Sequence, residues 1–330
     1  MPDDITAAPQ SRPRIHPIAV VATIAGVLLF IYTVQASGPR DVLNQLREIG
    51  FGFLVVLALS AIRMAVRAKA WSLCVEDTEH FTFGQAFKAY VTGDAVGNVL
   101  PLGPLASEST KALLIRRNIA TASAFSSVVL ENIFYSISVA IMVMVGTLAF
   151  LLAYQPTDAA LTITLGLGVI AIVSLVAVWW LMRSQPRLLS RFLKHDAVRD
   201  AEDRIFRFTE TRPKHVWQIL LLQFAFHVVA VLEIYFLLRL LLGHTERTLL
   251  LAIILGTVER LITIAFKFVP LRLGVDHAGS GGIAELLGVG GPVGVTIATV
   301  RTTRNLFWAA VGLAMLARST SKRPAENSGP

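Results

Sequence analysis

Six apolar runs, each long enough to cross a lipid bilayer, constrain this chain more than any other feature. A helical span needs about 20 apolar residues. Of the 330 residues, 54% are hydrophobic and only 16% are charged, whereas a typical soluble domain carries about 25% charged residues. The sequence therefore predicts an all-α polytopic membrane protein. Its predicted spans are residues 17–36, 51–74, 122–154, 159–182, 216–242 and 293–317.

Two further apolar segments, 81–110 and 249–290, are interrupted by proline and glycine. The first contains the stretch NVLPLGPLASEST and the second contains KFVPLRLGVDHAGSGGIAELLG. Lipid tolerates irregular backbone only where protein or a water-filled cavity covers it. Both segments are therefore predicted to line a functional cavity.

The distribution of basic residues predicts the topology. Cytoplasmic connections are enriched in Lys and Arg, and residues 183–214 carry nine bases against five acids. We predict a cytoplasmic linker at 183–215 and cytoplasmic tails at 1–16 and 318–330, in a bacterial-type inner membrane. Segment 81–110 must then begin and end inside, and 249–290 must begin and end outside, which makes both re-entrant hairpins. The alternative is that one of them is a full span.

The interrupted segments also indicate two related halves. Leu100-Pro101-Leu102 matches Val269-Pro270-Leu271 with the prolines 169 residues apart, and the tetrads ENIF at 131–134 and RNLF at 304–307 lie 173 residues apart. Half one covers about 51–154 and half two about 216–317, within a transmembrane domain at 17–317. The predicted orientations are opposite, and inverted repeats with matching interruptions point to a transporter's binding site. Chance similarity between apolar sequences is the alternative.

Basic residues in half one are candidates for binding an anionic headgroup. Arg63 and Arg67 are four residues apart and share one helix face, so they could bind a phosphate in bidentate fashion or extend to the inner headgroups. A helix predicted to start near Ser107 would offer free N–H groups to an anion. Four residues of this region are assigned to the same predicted substrate site: Asn98, Ser107, Glu108 and Lys111.

The second interruption offers Arg272, Asp276 and His277 among several glycines. We predict that they line the same site, with His277 able to titrate near neutral pH. The alternative for both interruptions is a loop at the membrane surface with solvated charges.

A charge network is predicted deeper in the membrane. Glu131 and Arg304 occupy matching tetrad positions, which predicts a buried ion pair between the halves. Arg301, Glu259 and Arg260 are assigned to the same network, either for transport or to hold the bundle together.

Several function classes are excluded. Cys74 is the single cysteine, and the sequence has no Cys/His metal cluster, nucleotide-binding loop or catalytic motif, so we predict no metal, no cofactor and no enzymatic activity. The net charge of +8 indicates affinity for anionic lipid headgroups rather than for nucleic acid.

Four stretches carry a resemblance to a known family: GDAVGNVLPLGPLASESTKALLIRR and VVLENIF in half one, and FVPLRLGVDHAG and RTTRNLF in half two. Over residues 17–317 the chain resembles the transmembrane region of lysylphosphatidylglycerol synthases, the flippase-like family. The soluble aminoacyltransferase domain of full-length synthases is not present, so the chain is expected to be a stand-alone member that does not synthesise lipid.

The resemblance implies a bundle that moves lipids or polyprenyl-linked headgroups between leaflets. The family motif falls on six residues: Asn98, Pro101, Glu108, Lys111, Pro270 and Gly274. The sequence departs from the motif at Ser107, where glycine is usual, and at Asp276-His277, where a glutamate is more common.

These observations predict a flippase for an anionic lipid or a polyprenyl- or terpenoid-linked amphiphile. The alternative is a non-transporting scaffold or regulator of an enzyme that makes hopanoid, terpenoid or phospholipid. The predicted partners are therefore membrane lipids and lipid-biosynthesis enzymes.

Overall fold

A computed structural model describes eight ranges of the chain: residues 28–75, 81–100, 103–115, 119–155, 157–185, 196–243, 245–267 and 269–321. All regular structure in these ranges is helical. The predicted tail 1–16, the first residues of the predicted span 17–36, Pro101 and most of the tail 318–330 lie outside the described residues.

The first part of the chain forms eight helices within the described ranges. They are α1 (28–36), α2 (Pro39–Ile49), α3 (Gly52–Leu73), α4 (Phe83–Val99), α5 (Gly103–Ile115), α6 (Thr121–Ala153), α7 (Asp158–Ser184) and α8 (Asp196–Thr211).

The second part adds four helices and a short 3-10 turn. They are α9 (Pro213–Leu242), α10 (Thr248–Ala265), the turn Pro270–Arg272, α11 (Val275–Leu286) and α12 (Gly291–Ser321).

Four of the described helices, α6, α7, α9 and α10, are long and apolar enough to cross a membrane. A fifth candidate is the pair α2 and α3, which meet at a 75° bend. The chain is therefore a multi-pass membrane protein, as the sequence predicts. Three predicted spans, 122–154, 159–182 and 216–242, coincide with α6, α7 and α9.

Two regions differ from the predicted set of spans. The predicted span 293–317 lies inside α12, which is a single helix but is less apolar than the four candidates because it contains Arg301, Arg304 and several threonines. Helix α10 belongs to the predicted hairpin 249–290, yet its 18 residues pass the same test of length and composition.

Both interrupted segments form pairs of helices that pack against each other, α4 with α5 and α10 with α11. Helix α4 begins with a capping box in which Thr82 and Gln85 satisfy each other's backbone N–H groups. The predicted helix start near Ser107 is wrong by one turn, because α5 begins at Gly103. Pro104 suits this earlier start, since the first helical turn needs no N–H donor from proline.

The remaining helix–helix contacts within half one correspond to those within half two. In half one α3 packs on α4 and α5 packs on α6, and in half two α9 packs on α10 and α11 packs on α12. Between the halves, α3 packs on α9, α4 packs on α12, and α10 packs on α6. Helix α7 packs on α6 at the periphery and buries only Ala171.

The α4–α5 hairpin depends on close backbone contact at Gly97. A Cβ atom at this position would lie 2.8 Å from the Gly103 carbonyl oxygen and 2.8 Å from Ser107 Cβ. We therefore expect Gly97→Ala to destabilise the protein by about 1–3 kcal/mol through overpacking. The thermal unfolding midpoint in detergent measures this change.

Gly166→Ala in α7 is the matched control, because no atom lies within 4 Å of a Cβ added there. Alanine also favours a helix over glycine, so the control variant should be at least as stable as the parent. Equal midpoints for Gly97→Ala and the parent protein would contradict the close approach of α4 and α5.

Candidate functional site

A polar chamber of about 360 Å³ lies where the two interrupted segments meet. The first segment contributes Asn98, Ser107 and Glu108, and the second contributes Leu271 and Arg272. Side chains from α3, α6, α9 and α12 complete the walls. Segments from both halves of the chain thus face one common cavity.

The chamber lining is strongly basic. Among the described residues it includes three acids, Asp94, Glu108 and Glu259, and seven cations. The cations are Arg63, Arg67, Lys111, Arg260, Lys267, Arg272 and Arg304. An isolated cation at the centre of a membrane helix costs roughly 2.5–3.5 kcal/mol, so each of these side chains needs a partner, water or a ligand.

Arg67 on α3 is held by Glu131 on α6. Its Nη2 and Nε donate to Glu131 Oε1 at 2.6 Å and 3.0 Å, and Gln223 Nε2 donates to the same oxygen at 2.8 Å. The guanidinium also lies 4.0 Å from the centre of the Tyr135 ring, a cation–π geometry. Glu131 is fully buried, so this cluster is an internal crosslink between α3 and α6.

A second cluster is centred on Glu233 of α9, which is also buried. Arg63 Nη1 donates to Glu233 Oε2 at 3.1 Å, and Arg304 Nη1 donates to Glu233 Oε1. One carboxylate therefore joins α3 of half one to α9 and α12 of half two.

The predicted ion pair between Glu131 and Arg304 is wrong. Each residue is buried and paired, but with Arg67 and Glu233 respectively. The reason is that the last helix of each half turns its charged residue toward the first helix of the same half. Each of the two tetrad residues therefore pairs within its own half and not across the halves.

In the first hairpin, Lys111 is buried and its Nζ lies 2.6 Å from Glu108 Oε2. Asn98 Nδ2 donates to the backbone carbonyl and side chain of Asp94 at 3.0 Å and 2.9 Å. Ser107 also lines the chamber, one turn inside α5. All four substrate-site residues predicted in this segment thus lie at the chamber.

The second interruption has strained backbone at the chamber wall. Leu271 and Arg272 both have positive φ, 51° and 50°, a conformation uncommon for residues other than glycine. Such strain costs about 1–3 kcal/mol per residue and clusters at functional sites. It places Arg272 Nε 3.3 Å from Asp276 Oδ2.

Asp276 and His277 do not line the chamber, although the sequence predicts both as substrate ligands. Asp276 is buried and also lies 3.6 Å from Arg301, which in turn pairs with Glu259 at 2.6 Å. His277 is fully buried, with its ring against Phe30 at 4.6 Å. Both residues face the packed side of α11, so their placement favours a structural role.

Two cations of the lining, Arg260 and Lys267, have no carboxylate partner among the described residues. Arg260 is buried and donates to the Tyr135 hydroxyl at 3.1 Å. Lys267 is exposed. Their charge is therefore available to an anion that enters the chamber.

Four residues outside the predicted site also shape its electrostatics: Gln223, Phe226, Glu233 and Tyr135. Phe226 lines the chamber, and the guanidinium groups of Arg63, Arg67 and Arg260 lie 4.9, 5.4 and 5.3 Å from its ring centre. Glu233 and Gln223 could have been found as polar residues inside an apolar helix. No sequence pattern distinguishes the two aromatic residues from ordinary core.

The model of one protein family matches residues 17–312 of the chain, and its description is the transmembrane region of lysylphosphatidylglycerol synthase. The chain belongs to this family. The resemblance found in the sequence motifs is thereby confirmed. Neither a comparison with curated proteins nor one with solved structures finds a match.

The pair Arg67–Glu131 yields a stability prediction. Removing one partner of a buried pair costs about 3–5 kcal/mol, whereas replacing both by apolar residues costs far less. We expect Glu131→Leu alone to lower the thermal midpoint strongly and Arg67→Met/Glu131→Leu to recover most of the loss. Lys88→Leu, at an exposed position, is the control and should change stability by no more than about 0.5 kcal/mol.

A double-mutant cycle built from these variants measures the coupling between the two side chains. Strictly additive effects would show that Arg67 and Glu131 do not stabilise each other.

Proposed function

We propose that this protein is a lipid transporter that moves an anionic lipid, or a polyprenyl- or terpenoid-linked amphiphile, between the leaflets of a bacterial-type inner membrane. The observation that carries the proposal is the chamber between the two interrupted segments, which has seven cations against three acids. Five of these cations pair with carboxylates, and a lipid phosphate supplies negative charge for the other two, Arg260 and Lys267.

Arg260 and Lys267 are the proposed first contacts of the headgroup, because neither is neutralised by a carboxylate among the described residues. A guanidinium can bind two phosphate oxygens at once. Arg260 is also held in place by the Tyr135 hydroxyl at 3.1 Å, so little side-chain freedom is lost when it binds. Arg63 and Arg67 contribute positive potential while their carboxylate partners keep them in position.

The pattern of helix contacts supports an inverted repeat. The first helices of the halves pack on each other, and the second helix of each half packs on the last helix of the other. Asn132 and Asn305, at matching tetrad positions, both line the chamber. In the two ion pairs the charges are exchanged, since α3 supplies the base in half one and α9 the acid in half two. Alternating access requires two such halves that rock around a shared site.

The proposed transport involves no chemical step, and the partners of the protein are membrane lipids. The two re-entrant hairpins begin on opposite faces, as the charge distribution predicts, and both termini are cytoplasmic. Each hairpin then reaches the chamber from its own side of the membrane.

A proteoliposome assay tests the proposal. We expect the protein to accelerate the movement of an anionic lipid with a fluorescent acyl chain, measured by chemical quenching of the outer leaflet. Arg260→Gln should slow this movement about tenfold, because a hydrogen bond to a charged group contributes about 1.5–3 kcal/mol. Arg183→Gln, an exposed arginine at the end of α7, is the matched control and should leave the rate unchanged.

Equal rates in protein-free liposomes and with the parent protein would contradict transport and favour the scaffold function. An equal loss in Arg183→Gln and Arg260→Gln would show that the chamber is not the site at which the anion binds.

A further inference from the structure

A second cavity, of about 230 Å³, lies between α6, α9 and α10. Its lining is almost entirely apolar, and we refer to it as the apolar groove. Residues from all three helices form its walls, including Met142, Val145, Val228, Val231, Leu232 and Ile253.

The apolar groove contains no charged residue in its described lining. Its two polar residues, Ser138 and His227, bond to each other with 3.0 Å between Oγ and Nε2. Neither water nor a polar headgroup therefore finds favourable contacts there, and an apolar group such as a hydrocarbon chain is what matches this lining.

A thin wall separates the apolar groove from the polar chamber. Phe226 lines the chamber and the next residue, His227, lines the groove. Tyr135 faces the chamber and stacks on the His227 ring at 6.0 Å. On α10, Ile253 lines the groove and Arg260 lines the chamber; the two residues are seven positions apart, or about 10.5 Å along the helix.

The groove rim is bulky. Phe224, Leu232 and Leu249 are 53%, 44% and 52% exposed. Helix–helix contacts in membranes favour small residues that let backbones approach. The large side chains of this rim therefore disfavour close packing of a partner helix. A flexible chain can fit between such side chains.

We propose, on the basis of the proposed transport function, that the apolar groove holds the hydrocarbon chain of the anionic lipid whose headgroup occupies the chamber. The headgroup then lies on the chamber side of Tyr135, Phe226 and His227, and the chain reaches the groove around these side chains rather than between them. The substrate class is an amphiphile with an anionic group next to a linear alkyl or isoprenoid chain.

Photo-crosslinking tests this assignment. An anionic phospholipid with a diazirine in the middle of one acyl chain is reconstituted with the full-length protein, and the labelled peptides are identified by mass spectrometry. We expect adducts on groove residues of α6, α9 and α10. Diacylglycerol with the same diazirine chain lacks the phosphate and should label these residues much less.

Filling the groove should displace the chain. Val228→Trp is expected to reduce both groove labelling and lipid movement about tenfold, because the indole ring fills the space that the chain would occupy. Leu249→Trp at the rim is the second variant, for use if the first fails to fold. Val173→Trp on α7, at a position 59% exposed, is the matched control and should behave as the parent protein.

Adducts as frequent on α7 as in the groove, or unchanged labelling in correctly folded Val228→Trp, would overturn the assignment. This failure differs from failure of the proposed function. Groove labelling without any protein-dependent lipid movement would support the groove as a chain site and reject transport. Protein-dependent movement with dispersed labelling would support transport and reject the groove.

Discussion

The cost of burying charge at membrane depth is the constraint on which the rest of this structure depends. Arg67 and the pair Arg63 and Arg304 are accommodated because two buried carboxylates, Glu131 and Glu233, accept their hydrogen bonds. The partners come from different helices, so satisfying the charges fixes how those helices pack. Glu233 joins both halves of the chain through one side chain. The ion pairs are therefore the internal scaffold of the chamber rather than surplus charge within it.

The same constraint explains the two interruptions. Helical hairpins with proline and glycine breaks expose backbone groups that lipid cannot satisfy, and residues beside both breaks line the polar chamber: Asn98 and Pro104 at the first, Val269 and Leu271 at the second. The strained backbone of Leu271 and Arg272 lies in the chamber wall. After the internal pairs are formed, Arg260 and Lys267 remain without a carboxylate among the described residues. In the proposed function an anionic headgroup completes this arrangement, and the neighbouring apolar groove holds its chain.

The sequence predicts the long apolar helices well, because length and hydropathy distinguish a segment that can cross a membrane. Three spans, both helical hairpins and the position of Asn98, Glu108 and Lys111 at the chamber follow from such patterns. Ion-pair partners do not, because they depend on which helix faces which after packing. Glu131 and Arg304 are predicted to pair with each other, yet each pairs within its own half. The chemistry of His277 predicts a place in the site, whereas packing buries it on the side of α11 that contacts Phe30.

In the proposed arrangement the two hairpins enter the membrane from opposite faces and meet at one chamber. Single cysteines introduced as Thr82→Cys and Glu246→Cys, at exposed positions where each hairpin begins, test it most directly in a Cys74→Ser background. A membrane-impermeant maleimide should label Glu246→Cys in intact cells and Thr82→Cys only in inside-out vesicles. Labelling of both cysteines from the same side would place both hairpins on one face and contradict this arrangement.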